Sequence, residues 1–318
     1  MVFDRAFSDE TLEKALSALA DDADPTAALE LIVTTEDTAT REHAVAILGA
    51  AGVTRIERLR ELTAQQPYLP ERWLLLGAAL SAAAWAVREN NHAKPVVTER
   101  LVQEQQVLVA GARSALRQAA ALSRDDPVPW SELAGAVVCA PLHRTEVADV
   151  FKRACVLDSD LYAAHTRHLT GLTHRWYGNQ DKVIAFALVR TAERPDGHPL
   201  HALVALAHIE GYVDGLLHGT VVGRFWRAWR YFADSKIRRE TDTAADRLLA
   251  GHAEFATHPW TMHAHQAFAA LYHQANEPGR ARTHLELGGD RAAIWPWRYF
   301  GDPERQLATA RKAAGLDT

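Results

Sequence analysis

Cysteine is almost missing: Cys139 and Cys155 are the two in 318 residues, which rules out a disulfide framework for a chain this size. A reducing cytoplasm is therefore the expected location. No stretch approaches the roughly 18 consecutive apolar residues that would span a bilayer, and the opening Met1 to Glu10 has no apolar core of signal-peptide length. Neither membrane insertion nor export is expected on those grounds. Charge of one sign is lacking too. With 40 acidic and 35 basic residues the net charge is −5, which gives no overall attraction to nucleic acid or to an anionic membrane surface.

Strand patterns are missing: there is no series of alternating β-branched and aromatic runs closed by turn dipeptides. The nucleophile elbow, the glycine-rich phosphate loops, the dinucleotide fingerprint, His-Glu-x-x-His and paired Cys-x2-Cys units are missing as well. No cofactor or metal is expected. Lysine is scarce, with six residues against 29 arginines, a bias that GC-rich codons explain without a functional role.

What is present is helical spacing. Leu12, Leu16 and Leu19 form one helix face capped by Ser8 or Asp9. Pro25 suits the first turn of a second helix ending near Ile32. A further segment runs from about Thr40 to an end near Gly49 to Gly52, and another through Ile56, Leu59 and Leu62 to Pro67. Residues 71–89 and 98–122 read as a long antiparallel hairpin around a turn at 90–95. In the second of these helices Leu101, Gln105, Leu108, Ala112, Leu116 and Ala119 share one face, with Gln105 as its single polar interruption.

A repeat follows. Trp130, His165 and Leu200 are 35 residues apart, each near the start of a helix. Phe151 and Phe186 show the same interval in the following helices, as do Ala154 and Val189. Trp73-x2-Leu76-Gly77-x2-Leu80 and Trp130-x2-Leu133-Ala134-x2-Val137 approach the Trp-x2-Leu-Gly-x2-Tyr pattern of a 34-residue two-helix repeat. On these residues the chain resembles the tetratricopeptide-like superfamily. The Arg175-Trp176-Tyr177-Gly178-Asn179 turn before a Phe-containing helix suggests an uncharacterised bacterial family with that fold. The resemblance implies an all-α, right-handed superhelix of helical hairpins over 67–318, closed by a capping helix at 303–314. Residues 1–66 form a less regular N-terminal helical region.

The resemblance also implies a concave groove that binds a peptide, a protein segment or a small molecule. Its inner-face positions map to Thr166, Thr170 and Thr173, to His198, His201 and His208, and to His258 and His265. Histidine is abundant at 16 residues, 14 of them between His143 and His284. Neutral imidazole binds metals and titrates near neutrality, so a metal-dependent hydrolase or a cyclising enzyme using these groups is the alternative to a binding module. His165 and His168 fall at core positions and read as structural, and both cysteines read as buried, inert thiols. Phe151, Ala154 and Phe186 are expected to be buried. The aromatic and basic stretch from Arg224 to Arg239 reads as a packed stripe with a solvated basic face rather than a nucleic-acid surface.

Overall fold

The structure is a computed structural model that describes residues 4, 7, 9–21, 24–92, 99–140, 144–176, 178–217 and 230–316. Ser8, His143, Tyr177, residues 93–98 (which include half of the expected turn at 90–95) and most of the aromatic stretch (224–229) lie outside the described residues. Among the described residues all regular structure is helical, and no helix is long and apolar enough to cross a membrane. Two compact units are present: an N-terminal unit of residues 8–168, and a C-terminal unit of residues 169–318 joined by residues 1–7.

The N-terminal unit opens with α1 (Glu10–Ala20), α2 (Thr26–Thr34), α3 (Thr38–Ala51) and α4 (Ile56–Gln65). Asp9 caps α1 by accepting hydrogen bonds from the Thr11 and Leu12 amides at 2.8 and 3.0 Å. Asp37 caps α3 through the Thr40 amide at 2.7 Å. Both supply an acceptor to amides that a helix start leaves unpaired. Next come α5 (Pro70–His92) and α6 (Glu99–Leu122), packed along each other. Asn90 to His92 continue α5 rather than turning. A Cβ on Gly77 would lie 2.5 Å from Leu116 Cγ, so the glycine of the Trp-x2-Leu-Gly pattern is what lets α5 and α6 meet. Gln105, the polar interruption of α6, donates to the Cys139 carbonyl at 3.1 Å. That carbonyl ends α7 (Val128–Cys139), which packs on α5, α6 and α8 (Arg144–Leu157). Phe151 of α8 is buried, stacked on His168 at 4.2 Å and edge-on to His165 at 5.0 Å. Both histidines belong to α9 (Tyr162–Gly171) and are buried. Cys139 is buried, but Cys155 is half-buried rather than enclosed.

The C-terminal unit holds α10 (Gln180–Ala192), α11 (Ala202–Leu217), α12 (Ser235–Ala250), α13 (Thr261–Gln274), α14 (Pro278–Leu287) and α15 (Pro303–Ala313). α11 packs on α10, α12 and α13, while α13 and α14 form a hairpin covered by α15. Gln266, fully buried on α13, fixes the irregular segment between α14 and α15. Its amide nitrogen donates to the Gly288 and Arg291 carbonyls, both at 2.7 Å. Its oxygen accepts from the Ala293 amide at 2.8 Å and the Trp297 indole at 2.9 Å. Every polar atom of that side chain is thus paired, which removes the cost of burying it.

The 35-residue interval holds for some positions and fails for others. Val150 and Ala154 in α8 are buried, as are Val183 and Ala187 in α10, 33 residues later. Val189, 35 after Ala154, is 70% exposed, and Phe186 is only half-buried beneath Arg190. A two-residue slip turns a helix by about 200°, enough to bring the opposite face to the core.

Candidate functional site

α11 carries two buried polar side chains of the C-terminal unit, His208 and Glu210. Glu210, 6% exposed, is bonded by the Arg175 guanidinium and by the Tyr299 hydroxyl. Arg175 also donates to the Tyr299 oxygen at 3.0 Å and lies 5.4 Å from the centre of its ring. Burial pushes the Glu210 carboxyl up from its ordinary value, and Arg175 opposes the shift. The Tyr299 hydroxyl is pushed up by burial and by the Glu210 charge. Arg175 arrives from a 3-10 turn (His174–Trp176), and Asn179 then caps α10 through the Lys182 amide at 2.9 Å.

Arg175 and Glu210 line a narrow surface pocket together with Thr173, His174, Gln180, Val213 and Asp214. Gln180 links it to a deeper chain. Its amide donates to the Ala207 carbonyl at 2.8 Å and approaches the Tyr231 hydroxyl at 3.4 Å. His208 donates through Nε2 to Glu240 at 3.1 Å, which leaves Nδ1 to accept from Tyr231 at 3.2 Å. The His208 pKa is lowered to about 4 by burial and by Lys236, so the imidazole is neutral. A Cβ on Gly211 would lie 2.3 Å from the Tyr231 oxygen and 2.5 Å from Gln180 Nε2. Gly211→Ala is accordingly expected to destabilise by about 1–3 kcal/mol through overpacking, although alanine favours the helix itself by about 1 kcal/mol. Thermal unfolding that instead shows a gain would remove Tyr231 and Gln180 from contact with this turn of α11.

The other histidines assigned to the groove occupy separate settings. His198 Nδ1 accepts from the Leu200 amide at 3.1 Å, and His258 Nδ1 accepts from the Trp260 amide at 3.2 Å. These two rings are brought together, 6.1 Å apart. His201 donates to the Pro195 carbonyl at 2.9 Å. His265 is fully buried on α13, with Nε2 2.9 Å from His252 Nδ1 and Nδ1 3.0 Å from His284 Nδ1. Thr166 and Thr170 are half-buried and Thr173 is buried; Thr166 belongs to the N-terminal unit and the other two to the C-terminal unit. Of the eight residues only Thr173 lines the pocket. Among the described residues no group of three or more His, Cys, Asp or Glu is placed to hold a metal ion.

Two signals for these arrangements stand in the sequence. His198-Pro199-Leu200 and His258-Pro259-Trp260 share a His-Pro start, and in both the imidazole accepts from the amide two residues on. His198 thereby caps the 3-10 turn at 199–201 in the way Asp or Asn usually does, while His258 closes the turn before α13. Arg175 and Glu210 are 35 residues apart, as are Arg167 and Glu132, which meet at 2.6 Å in the N-terminal unit. In both pairs, opposite charges 35 residues apart in the sequence meet as an ion pair.

A roomier cleft of about 660 Å³ lies in the N-terminal unit, lined by residues 53–58, Arg60 and Leu108. Its arginines are committed elsewhere. Arg55 donates to the Leu19 and Ala20 carbonyls, while Arg58 and Arg60 pair with Glu61 and Glu57. No protein family, curated protein or solved structure matches the chain.

Proposed function

We propose that the chain is a tetratricopeptide-like helical repeat protein that acts as a binding module. Its C-terminal unit takes a basic side chain of a peptide or protein segment at the pocket lined by Arg175, Glu210 and Asp214. The repeat reading is supported by the ion pairs at the 35-residue interval and by Gly77, which serves the close helix contact that its motif position requires. The pocket reading is carried by one observation: Glu210 and Asp214 both line a pocket wall assembled from α11, α10 and the turn at 174–176, where Arg175 pairs with Glu210. The interior of this pocket, about 10 Å³, has room for no more than a water, so a cationic group docks at its mouth and meets a charge-assisted partner there.

Selection of a random peptide library on the immobilised full chain tests this. Peptides bearing Arg or Lys are expected to be enriched, and Asp214→Lys should abolish the enrichment while preserving the circular dichroism spectrum. Enrichment that is indifferent to Asp214→Lys would place binding on another surface. Failure to enrich any sequence would remove the binding reading altogether.

A further inference from the structure

Residues 1–7 belong by their contacts to the C-terminal unit, although the chain continues from them into the N-terminal one. Among the described residues, Asp4 and Phe7 make this attachment. Asp4 accepts a hydrogen bond from His263 Nε2 at 3.0 Å. Phe7 is 4% exposed, with the Arg291 guanidinium 5.9 Å from its ring centre. The receiving surface is built from rigid parts. His263 sits in the first turn of α13, 5% exposed and edge-on to Trp260 at 4.9 Å. Arg291 lies in the segment that Gln266 holds through the Arg291 carbonyl and the Ala293 amide.

A carboxylate and an aromatic ring three positions later therefore seat together on one face of the C-terminal unit. It offers each group a matched partner: an imidazole N–H for the carboxylate and a cation for the ring. We propose that this face, centred on His263 and Arg291, is a receptor for a partner segment carrying a carboxylate three residues before an aromatic side chain. Asp4 and Phe7 fill it in cis. Tethering gives the cis segment an effective concentration on the order of millimolar, so an outside partner of the same chemistry displaces it only when it binds more tightly or is abundant. The inference does not depend on the Arg175 pocket, which shares no residue with this face.

The test uses the full chain and a fluorescent peptide of residues 1–9. Asp4→Ala/Phe7→Ala protein, with its own segment disabled, is expected to bind the wild-type peptide saturably in an anisotropy titration. Wild-type protein should bind it about tenfold or more weakly, because the cis copy competes. A Phe7→Ala peptide should lose about tenfold or more in affinity, the value of burying one aromatic side chain. Adding His263→Ala to the double variant should weaken binding of the wild-type peptide. Asp4→Asn protein, which keeps the shape of the segment and loses its charge, should show intermediate binding. Equal binding by wild type and double variant would overturn the inference, and so would indifference to Phe7→Ala in the peptide. Loss of helical signal in both Asp4→Asn and the double variant would overturn it too, by showing the contact to be part of the core.

Discussion

Glu42→Ala is expected to cost the N-terminal unit about 3–5 kcal/mol, the usual result of removing one partner from a buried charged network. Glu42 is fully buried on α3. One oxygen accepts from the Ala163 amide at 3.0 Å. The other accepts from the Ala164 amide at 3.1 Å and from the Ser131 hydroxyl. The two amides are at the start of α9, so a carboxylate from a helix 121 residues earlier in the chain serves as the cap of α9. It also stands where the positive end of the helix dipole favours an anion. Arg167 extends the network by donating to Ser131 at 3.2 Å and to Glu132 at 2.6 Å. Alanine would leave two amides, a hydroxyl and a guanidinium facing a small void. Glu42→Gln would keep one acceptor but present an NH2 group to existing donors, and should cost less, about 1–3 kcal/mol. Urea unfolding followed by circular dichroism checks both. A loss below about 1 kcal/mol for alanine would mean that water replaces the carboxylate at no cost.

Element types could be read from the sequence because local rules and tertiary demands agree there. Asp9, Asp37 and Gly52 bound their helices for reasons confined to a few residues. The α13–α14 hairpin is closed by Pro278 at a helix start and Asn276 at φ 57°. What could not be read is the side of each helix that is buried once the spacing slips. Leu200 also falls in a 3-10 turn (Pro199–His201) leading into α11 rather than in the helix proper. Reading the histidines as groove lining assumed that a polar residue on a first helix faces solvent. In the structure His201, His208 and His265 are satisfied inside by a carbonyl, a carboxylate and two other imidazoles. Glu42 was invisible for a different reason: its partners are far along the chain, and no local pattern marks a carboxylate that caps a distant helix.

Those buried imidazoles make the C-terminal unit acid-labile, and its helical structure should be lost as pH falls from about 6 towards 4. The pKa of His265 is lowered to about 2 by burial and by its two imidazole neighbours. That of His284 is lowered to about 3 by burial and Arg280, and that of His208 to about 4. All three are bases whose folded pKa is below the ordinary value of 6.5. The unfolded chain therefore binds more protons in the interval, and stability rises with pH. The contribution is complete above pH 6.5 and drains away as pH falls towards each folded value. One unit of depression corresponds to about 1.4 kcal/mol, so a fraction of the three shifts already rivals the roughly 5–15 kcal/mol that holds a typical domain folded.

The geometry of the histidine chain sharpens the loss. Each of its two hydrogen bonds holds one proton, and each outward nitrogen can hold one more. A second proton beyond neutrality must set two N–H groups against each other at about 3 Å. Glu210 works in the opposite sense. Its carboxyl is raised by burial, so its contribution is present below the unfolded carboxylate value and is lost as pH rises through the folded one. Glu42 is raised for the same reason, which spares the N-terminal unit on acidification. A pH titration with limited proteolysis should show cleavage within residues 169–318 first. His265→Gln keeps a donor and an acceptor but does not titrate in this range, and should move the transition to lower pH. A transition that does not shift in His265→Gln, or first cleavage within residues 8–168, would show that the acid sensitivity does not come from these imidazoles.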